Sequence, residues 1–415
     1  MNRPLVRAAF LLALAARPAF AVLPSPSVER ADAAVKAGRR DEAFKLLKEA
    51  RKLPQNEEDR ERIALLYQGL KDFTVSEALL GDLIKEHPEE PRLRLYLACV
   101  IAMAGDRESS LMTLAEAAKL KPDAVTRQRM AFLHQDLKDY PPARALLDGL
   151  IQEAPRDLSV RLDRASLAAQ SGEKSEALKQ LAAAAELNPG PDDKRRMAAM
   201  YRDIKEFAKA KVLLEKVPED AHALYDRATL AERAGRREEA IVALAAALKL
   251  SPPLDDRRRI AALYLDLGAY DEDAALVDSL VKEAPEDPSV RLDRAALEVK
   301  RGDRTAALAA IAEGLARTPD LQDRQRAALL SEDIKEYKQA REILDGLLKE
   351  EPRDPQLHID LALFASDTGD RKTALAALAE ARRLKADPDD RRRMSELYER
   401  LKSFDEAKAV LREAK

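Results

Sequence analysis

Apolar positions along the chain recur every three or four residues, broken at regular points by glycine or proline. The stretch PSVRLDRAALEVKRGDRTAALAAIAEGLARTPD, residues 288 to 320, is representative. One helical run ends at Gly302, a second begins after it, and Pro319 stops that one. A spacing of three and four places apolar side chains on one face of an α-helix, so the segment predicts two helices joined by a tight turn. The next stretch, LQDRQRAALLSEDIKEYKQAREILDGLLKEEPRD from 321 to 354, repeats the plan with Tyr337 in the turn and Pro352 at the end. No segment after residue 404 alternates apolar and polar residues as a strand of a β-barrel would.

The pattern has a fixed period. Gly38, Gly105, Gly172, Gly235, Gly302 and Gly369 follow helical runs at spacings of 67, 67, 63, 67 and 67 residues. Phe73, Tyr140, Phe207, Tyr270, Tyr337 and Phe404 each lie 35 residues after one of these glycines. Two hairpin types therefore alternate, giving six double repeats at about 24–90, 91–157, 158–220, 221–287, 288–354 and 355–415. A pair of helices this small cannot bury its own apolar stripe, so neighbouring pairs must stack. The third double repeat is four residues short between Phe207 and Pro218, about one helical turn. A shortened second helix, with a notch or change of curvature near residues 208 to 222, is expected there.

Small residues mark where the helices approach. Seven residues before each glycine stands Ala31, Ala98, Ala165, Ala228, Ala295 or Ala362, and five after it Ala43, Ser110, Ala177, Ala240, Ala307 or Ala374. This arrangement resembles the tetratricopeptide repeat, with its small residues in both helices and closing prolines at Pro122, Pro189, Pro252 and Pro319. Aromatics near the end of the first helix, Tyr67, Tyr201, Tyr264 and Tyr398, extend the match in the second hairpin type. The chain departs from the family where an early tryptophan is replaced by bases such as Arg161, Arg257, Arg291 and Arg324. It departs again where His134 and Ser331 take the aromatic place. The resemblance spans residues 24 to 415. It implies an all-α, right-handed α-solenoid of about twelve repeats that binds proteins in a groove lined by the first helices.

Basic residues gather at the first-helix starts of the second hairpin type, as in DDRRR at 255–259 and DDKRR at 192–196. The acidic residues suit the positive end of a helix and its unpaired N–H groups. Arg259 lies two residues, or 200°, from the small residue Ala261, so it should face away from the pair's core. Taking the same place in every hairpin gives a row: Glu29, Arg62, Tyr96, Arg129, Asp163, Arg196, Asp226, Arg259, Asp293, Arg326, Asp360, Arg393. Its alternating signs predict a ladder of ion pairs between adjoining hairpins, along the face that the resemblance assigns to the groove. The ladder breaks at Tyr96, an aromatic expected to be exposed between Arg62 and Arg129, and that trio is the expected local contact for a partner. From Arg62 to Arg393 the row is the candidate partner-binding surface.

Charge and composition narrow the partner. Lys and Arg total 72 against 75 acidic residues, so no single-signed field exists to hold nucleic acid. The first residues differ from the rest: Arg3 and Arg7, the apolar stretch 8–16, then Ala19-Phe20-Ala21 in small-x-small form. Residues 1–21 are expected to be a secretory signal peptide, nine apolar residues being too short to span a membrane. Cleavage would leave 69 basic against 75 acidic residues and no membrane insertion, with a periplasmic or extracellular location. Cys99 is the one cysteine, so no intrachain disulfide can form.

No enzymatic motif stands out. His87, His134, His222 and His358 lack metal-ligand spacing, and the sequence holds no phosphate loop, nucleophile elbow or CxxC pair. No cofactor is expected. The three asparagines, Asn2, Asn56 and Asn188, lie off the row, which argues against a clamp for a peptide's terminal carboxylate. The expected function is a non-catalytic scaffold of a bacterial-type cell envelope that binds partner proteins. The alternative is a periplasmic component of a polysaccharide-export or outer-membrane assembly machine. With Lys415 inside the last second helix, the final apolar face lacks a polar cap, and self-association through it is a further expectation.

Overall fold

The computed structural model describes residues 25–36, 39–53, 55–352, 354–384 and 388–412. The expected signal peptide, Gly38 and residues 413–415 of the expected uncapped end lie outside them. The described residues form 24 α-helices and no strand. Two compact units divide between Pro189 and Gly190, within the third double repeat.

Unit 1 holds five helical hairpins. They are α1 (Pro26–Lys36) with α2 (Arg40–Ala50), α3 (Glu57–Gly69) with α4 (Phe73–Glu86), and α5 (Pro91–Met103) with α6 (Arg107–Lys119). Next come α7 (Ala124–Asp136) with α8 (Tyr140–Glu153), and α9 (Leu158–Gln170) with α10 (Lys174–Ala185). Unit 2 holds seven, beginning with α11 (Pro191–Asp203) and α12 (Phe207–Glu215), α13 (Ala221–Arg233) and α14 (Arg237–Lys249), and α15 (Leu254–Asp266) and α16 (Tyr270–Glu283). It continues with α17 (Pro288–Arg301) and α18 (Arg304–Leu315), and α19 (Leu321–Asp333) and α20 (Tyr337–Glu350). The last two are α21 (Pro355–Asp367) with α22 (Arg371–Arg383), and α23 (Pro388–Arg400) with α24 (Phe404–Arg412).

Each hairpin closes on its small residues. Ala165, Ala228, Ala295 and Ala362 are fully buried, as are Ala177, Ala240, Ala307 and Ala374 facing them. Without long side chains there, two helices can pack at the short end of the ~8–10 Å interaxial range. Where serine replaces alanine, its hydroxyl is also satisfied: Ser76 Oγ donates to the Ala64 carbonyl at 2.7 Å, and Ser110 Oγ to that of Ala98 at 2.8 Å. One hairpin differs. Asp273 occupies this place in α16, only 2% exposed, and its Oδ1 has no hydrogen-bond partner.

The turns answer to two chemistries. In the first hairpin type Gly105, Gly172, Gly235, Gly302 and Gly369 adopt φ of 72 to 90°, where a side chain would be strained. In the second type the same place carries Lys71, Lys138, Lys205, Lys335 and Lys402, also at positive φ, and only Gly268 is glycine. Aspartates such as Asp106, Asp303 and Asp370 then start the next helix, their side chains accepting backbone N–H groups.

The short hairpin is where the missing residues placed it. α12 has 9 residues against 14 in α4, α8, α16 and α20, so it loses slightly more than one turn. Its packing register is unshifted. Ala210 and Leu214 are buried, and Val217, beyond the helix end, fills the place that Leu150, Leu280 and Leu347 take in full-length copies.

Candidate interaction surface

Arg257, Arg258 and Arg259 show how the basic residues are used, because three consecutive arginines reach three different hairpins. Arg257 forms a bidentate pair with Glu283 of its own hairpin, both bonds at 2.7 Å. Arg258 Nε donates to Asp293 of the following hairpin at 2.6 Å. The Arg259 guanidinium lies over the Tyr225 ring of the preceding hairpin, 4.7 Å from its centre, and bonds Asp256 of its own helix at 3.3 Å. Successive residues on a helix diverge by 100°, which aims adjacent side chains at different neighbours. A run that reads as a basic patch is thus a three-way brace.

The first of these contacts recurs. Arg60 with Glu86, Arg127 with Glu153 and Arg324 with Glu350 make the same fork across 26 residues. The arginines hold the carboxyls of Glu86, Glu153, Glu283 and Glu350 below their usual range, chiefly through the hydrogen bond. In the short hairpin Lys194 takes the arginine's place, and α12 ends at Glu215, too early to supply the matching glutamate.

The row from Arg62 to Arg393 forms the expected inter-hairpin pairs at Asp293 and Asp360. Arg326 Nη1 reaches Asp293 at 2.6 Å, and Arg393 Nη2 reaches Asp360 at 3.3 Å. Arg62 instead meets Asp32 at 3.8 Å, one turn beyond the exposed Glu29. Arg259 breaks the sequence of signs outright: its partners are a ring and a carboxylate of its own helix, and it is 57% exposed. Asp163 is buried, Arg129 and Arg196 are half-buried.

On their other side the aspartates are met by the residue one place before the row. Gln128 donates to Asp163, Arg195 to Asp226 at 2.6 Å, Arg258 to Asp293, and Gln325 to Asp360. Asp293 therefore bridges Arg258 behind it and Arg326 ahead of it. The column Gln128, Arg195, Arg258, Gln325 was readable in the sequence, being strongly polar in these hairpins where the intervening ones have Leu162, Tyr225 and Leu292. A single-column ladder overlooked it because one helix meets its two neighbours on different sides.

Tyr96 also departs from expectation. Its ring is 8% exposed, packed with Ala64, Leu80, Leu83, Leu93 and Val100. Only its hydroxyl end meets the basic row, 3.5 Å from Arg129 Nη1, and burial raises its pKa. Beneath it the almost wholly buried Glu61 pairs with Arg92 at 3.2 Å. An aromatic in the row serves the core of its own hairpin pair, so Arg62, Tyr96 and Arg129 do not form an exposed trio.

Three residues beyond the row, the first helices after α1 present a second line of partly or fully exposed side chains. In unit 1 it comprises Leu65, Cys99, Phe132 and Ser166, and in unit 2 it starts with Ala199, Thr229, Ala262 and Ala296. Burial pushes the Cys99 thiol up to about 12, so it is not a nucleophile near neutrality. His134 is buried in the aromatic place, its Nδ1 2.8 Å from Asp139, and burial lowers its pKa against the carboxylate's opposing pull. His87 lies beside Glu57 of its own hairpin, and His222 beside Asp256 of the next one. Among the described residues no three potential ligands gather to hold a metal, and no helix is long and apolar enough to cross a membrane.

A family model described as tetratricopeptide repeat matches residues 130–192, 206–255 and 225–288. Among solved structures, yeast Tom70 is similar at 15% identity and a TM-score of 0.45, covering 93% of this chain and 95% of that one. A tetratricopeptide repeat protein from Parabacteroides merdae is similar at 16% identity and a TM-score of 0.40, covering 57% of this chain and 95% of that one. The Cut9–Hcn1 hetero-tetramer of the APC/C gives 14% identity and a TM-score of 0.34, over 100% of this chain and 89% of that one. No curated protein sequence matches the chain.

Proposed function

We propose that the chain is a non-catalytic scaffold of the cell envelope, exported by the segment 1–21; the helical-hairpin fold and the match of residues 130–192 and 206–288 to a tetratricopeptide-repeat model support a role in protein–protein interaction. The observation that carries the reading is the use of charge on the first helices. Bridges such as Arg258–Asp293–Arg326 tie three successive hairpins. Such ties hold the first helices of unit 2 in register and present the adjoining line of side chains there as one surface. A rigid, preorganised face lowers the entropic cost of binding an extended partner.

The test uses the full chain with a photo-crosslinking residue at Ala262, exposed on the first-helix face, or at Val242, 68% exposed on a second helix. In an envelope extract Ala262 should capture a small set of proteins that Val242 does not. Equal capture at both places, or none at Ala262, refutes the scaffold reading. Export is tested separately by sequencing the N-terminus of the mature protein, which should begin at Val22; a chain that keeps Met1 refutes it.

A further inference from the structure

In unit 1 the line beyond the basic row is more apolar than its counterpart at the start of unit 2. Leu65 on α3, Cys99 and Met103 on α5 and Phe132 on α7 are each half-buried, whereas α11, α13, α15 and α17 place Ala199, Thr229, Ala262 and Ala296 in the corresponding line. These helices are connected through their side chains. Gln68 Nε2 of α3 donates toward Met103 Sδ at 2.9 Å, and Arg129 of α7 reaches the Tyr96 hydroxyl of α5. The Cys99 thiol feels the charges of both Asp136 and Arg129, which places the end of α7 beside α5.

Asp136 closes this strip; of its counterparts in unit 2, Asp203 and Asp367 are paired, whereas Asp266 and Asp333, like Asp136, have no ion pair among the described residues. Asp203, at the same place in unit 2, accepts from Arg202 at 3.1 Å, and Asp367 is paired with Arg400. Among the described residues no hydrogen bond or ion pair engages Asp136, and burial alone pushes its pKa up to about 7. It is also the last residue of α7, where the carbonyl ends already make the potential negative. A desolvated carboxylate at a helix C-terminus is stabilised by a cation, and among the described residues none takes the place.

We propose that the strip of α3, α5 and α7 binds a partner segment carrying apolar side chains and one lysine or arginine, the apolar groups over Leu65, Cys99, Met103 and Phe132 and the cation on Asp136. This rests on the scaffold reading and names its partner's chemistry. Methionine and cysteine suit such a surface because their sulfurs adapt to varied apolar shapes. The cation supplies direction, since it can pair only at one end of the strip.

The probes are short fluorescein-labelled peptides of leucine and serine with a single central lysine, and the same peptides with glutamate or norleucine there, titrated by anisotropy into the full chain. The lysine peptide should bind on the order of tenfold more tightly than the glutamate peptide, the preference one ion pair gives. Asp136→Asn should abolish that preference and leave norleucine binding intact, Asp136→Lys should invert it, and Asp266→Asn at the same place in unit 2 should change nothing. The inversion also guards against misfolding, because an unfolded variant would bind no peptide selectively. A preference untouched by Asp136→Asn, or lost equally in Asp266→Asn, overturns the inference. Partners captured at Ala262 with no dependence on Asp136 would overturn it while the scaffold reading stands. Capture of nothing would remove both.

Discussion

Replacing Asp273 by alanine should stabilise unit 2, and more so as pH rises. The side chain stands where Ala143, Ala210 and Ala340 stand in other copies, at the closest approach of the two helices. It is 2% exposed with an unpaired Oδ1, and its pKa is pushed up to about 7, first by burial and then by Asp293, against the opposing pull of Arg301 and Arg294. The folded chain therefore holds this proton more tightly than the unfolded chain, whose value is near 3.8. The favourable contribution is complete below the unfolded value and is lost as pH rises through about 7. Three pKa units correspond to ~4 kcal/mol, and relaxation of the site should reduce this to about 2–4 kcal/mol at pH 8.

Hydrogen exchange of the amides in α15 and α16 provides the assay, since a repeat array opens in parts and a single melting temperature would average over them. At pH 8 protection in Asp273→Ala should exceed that of the natural chain by about 30- to 1,000-fold, as 2–4 kcal/mol requires. The gap should close near pH 4. Asp273→Asn should lose the pH dependence while keeping a buried polar group, and Asp273→Ser should gain a bond to the Ala261 carbonyl like that from Ser76 to Ala64. Lower protection in Asp273→Ala at pH 8, or a gap that does not change with pH, would refute the reasoning.

Asp293→Ala should cost about 2–4 kcal/mol in urea unfolding, because it strands Arg258 and Arg326 together, whereas Glu350→Ala should cost at most about 1 kcal/mol despite its bidentate bond to Arg324. Similar costs would show that solvent exposure does not decide the worth of these pairs. Lys335→Gly, relieving a φ of 63° in the turn before α20, should raise the urea midpoint by an amount equivalent to about 0.5–1 kcal/mol, and a lower midpoint would mean the lysine is unstrained. Burial lowers the His134 pKa, so its contribution to unit 1 is present above the unfolded value and lost as pH falls through the folded one. His134→Tyr should remove that acid-side loss, read as a flatter pH dependence of exchange in α7; an unchanged slope would assign the loss to another group.

The fold was legible because its signals are redundant. Ala98 and Ser110, Gly105 and Tyr140 each recur at a fixed interval, so six copies corrected any single ambiguous residue. Even the shortened α12 could be read, since a missing turn shows as a missing interval. The candidate surface was less legible, because there one copy at a time decides the outcome. Arg259 and Arg326 share a column, yet the neighbour facing Arg259 is Tyr225 and that facing Arg326 is Asp293. Periodicity specifies where a side chain starts and cannot specify which of several nearby partners it reaches.

The same distinction explains why charge at the helix starts is a poor guide to a binding site here. Arg257, Arg258 and Arg259 each find a partner inside the stack, so the densest basic run contributes to cohesion before it contributes to recognition. A partner competing for these arginines must first break contacts the fold already makes, the costliest being the mostly buried pair of Arg258 with Asp293. Asp136 is the converse case, a lone acid in an apolar line whose most favourable ion pair has yet to be made. In a repeat array, recognition should therefore concentrate where the repeated tie is missing, and comparing equivalent positions copy by copy finds such places better than counting charges.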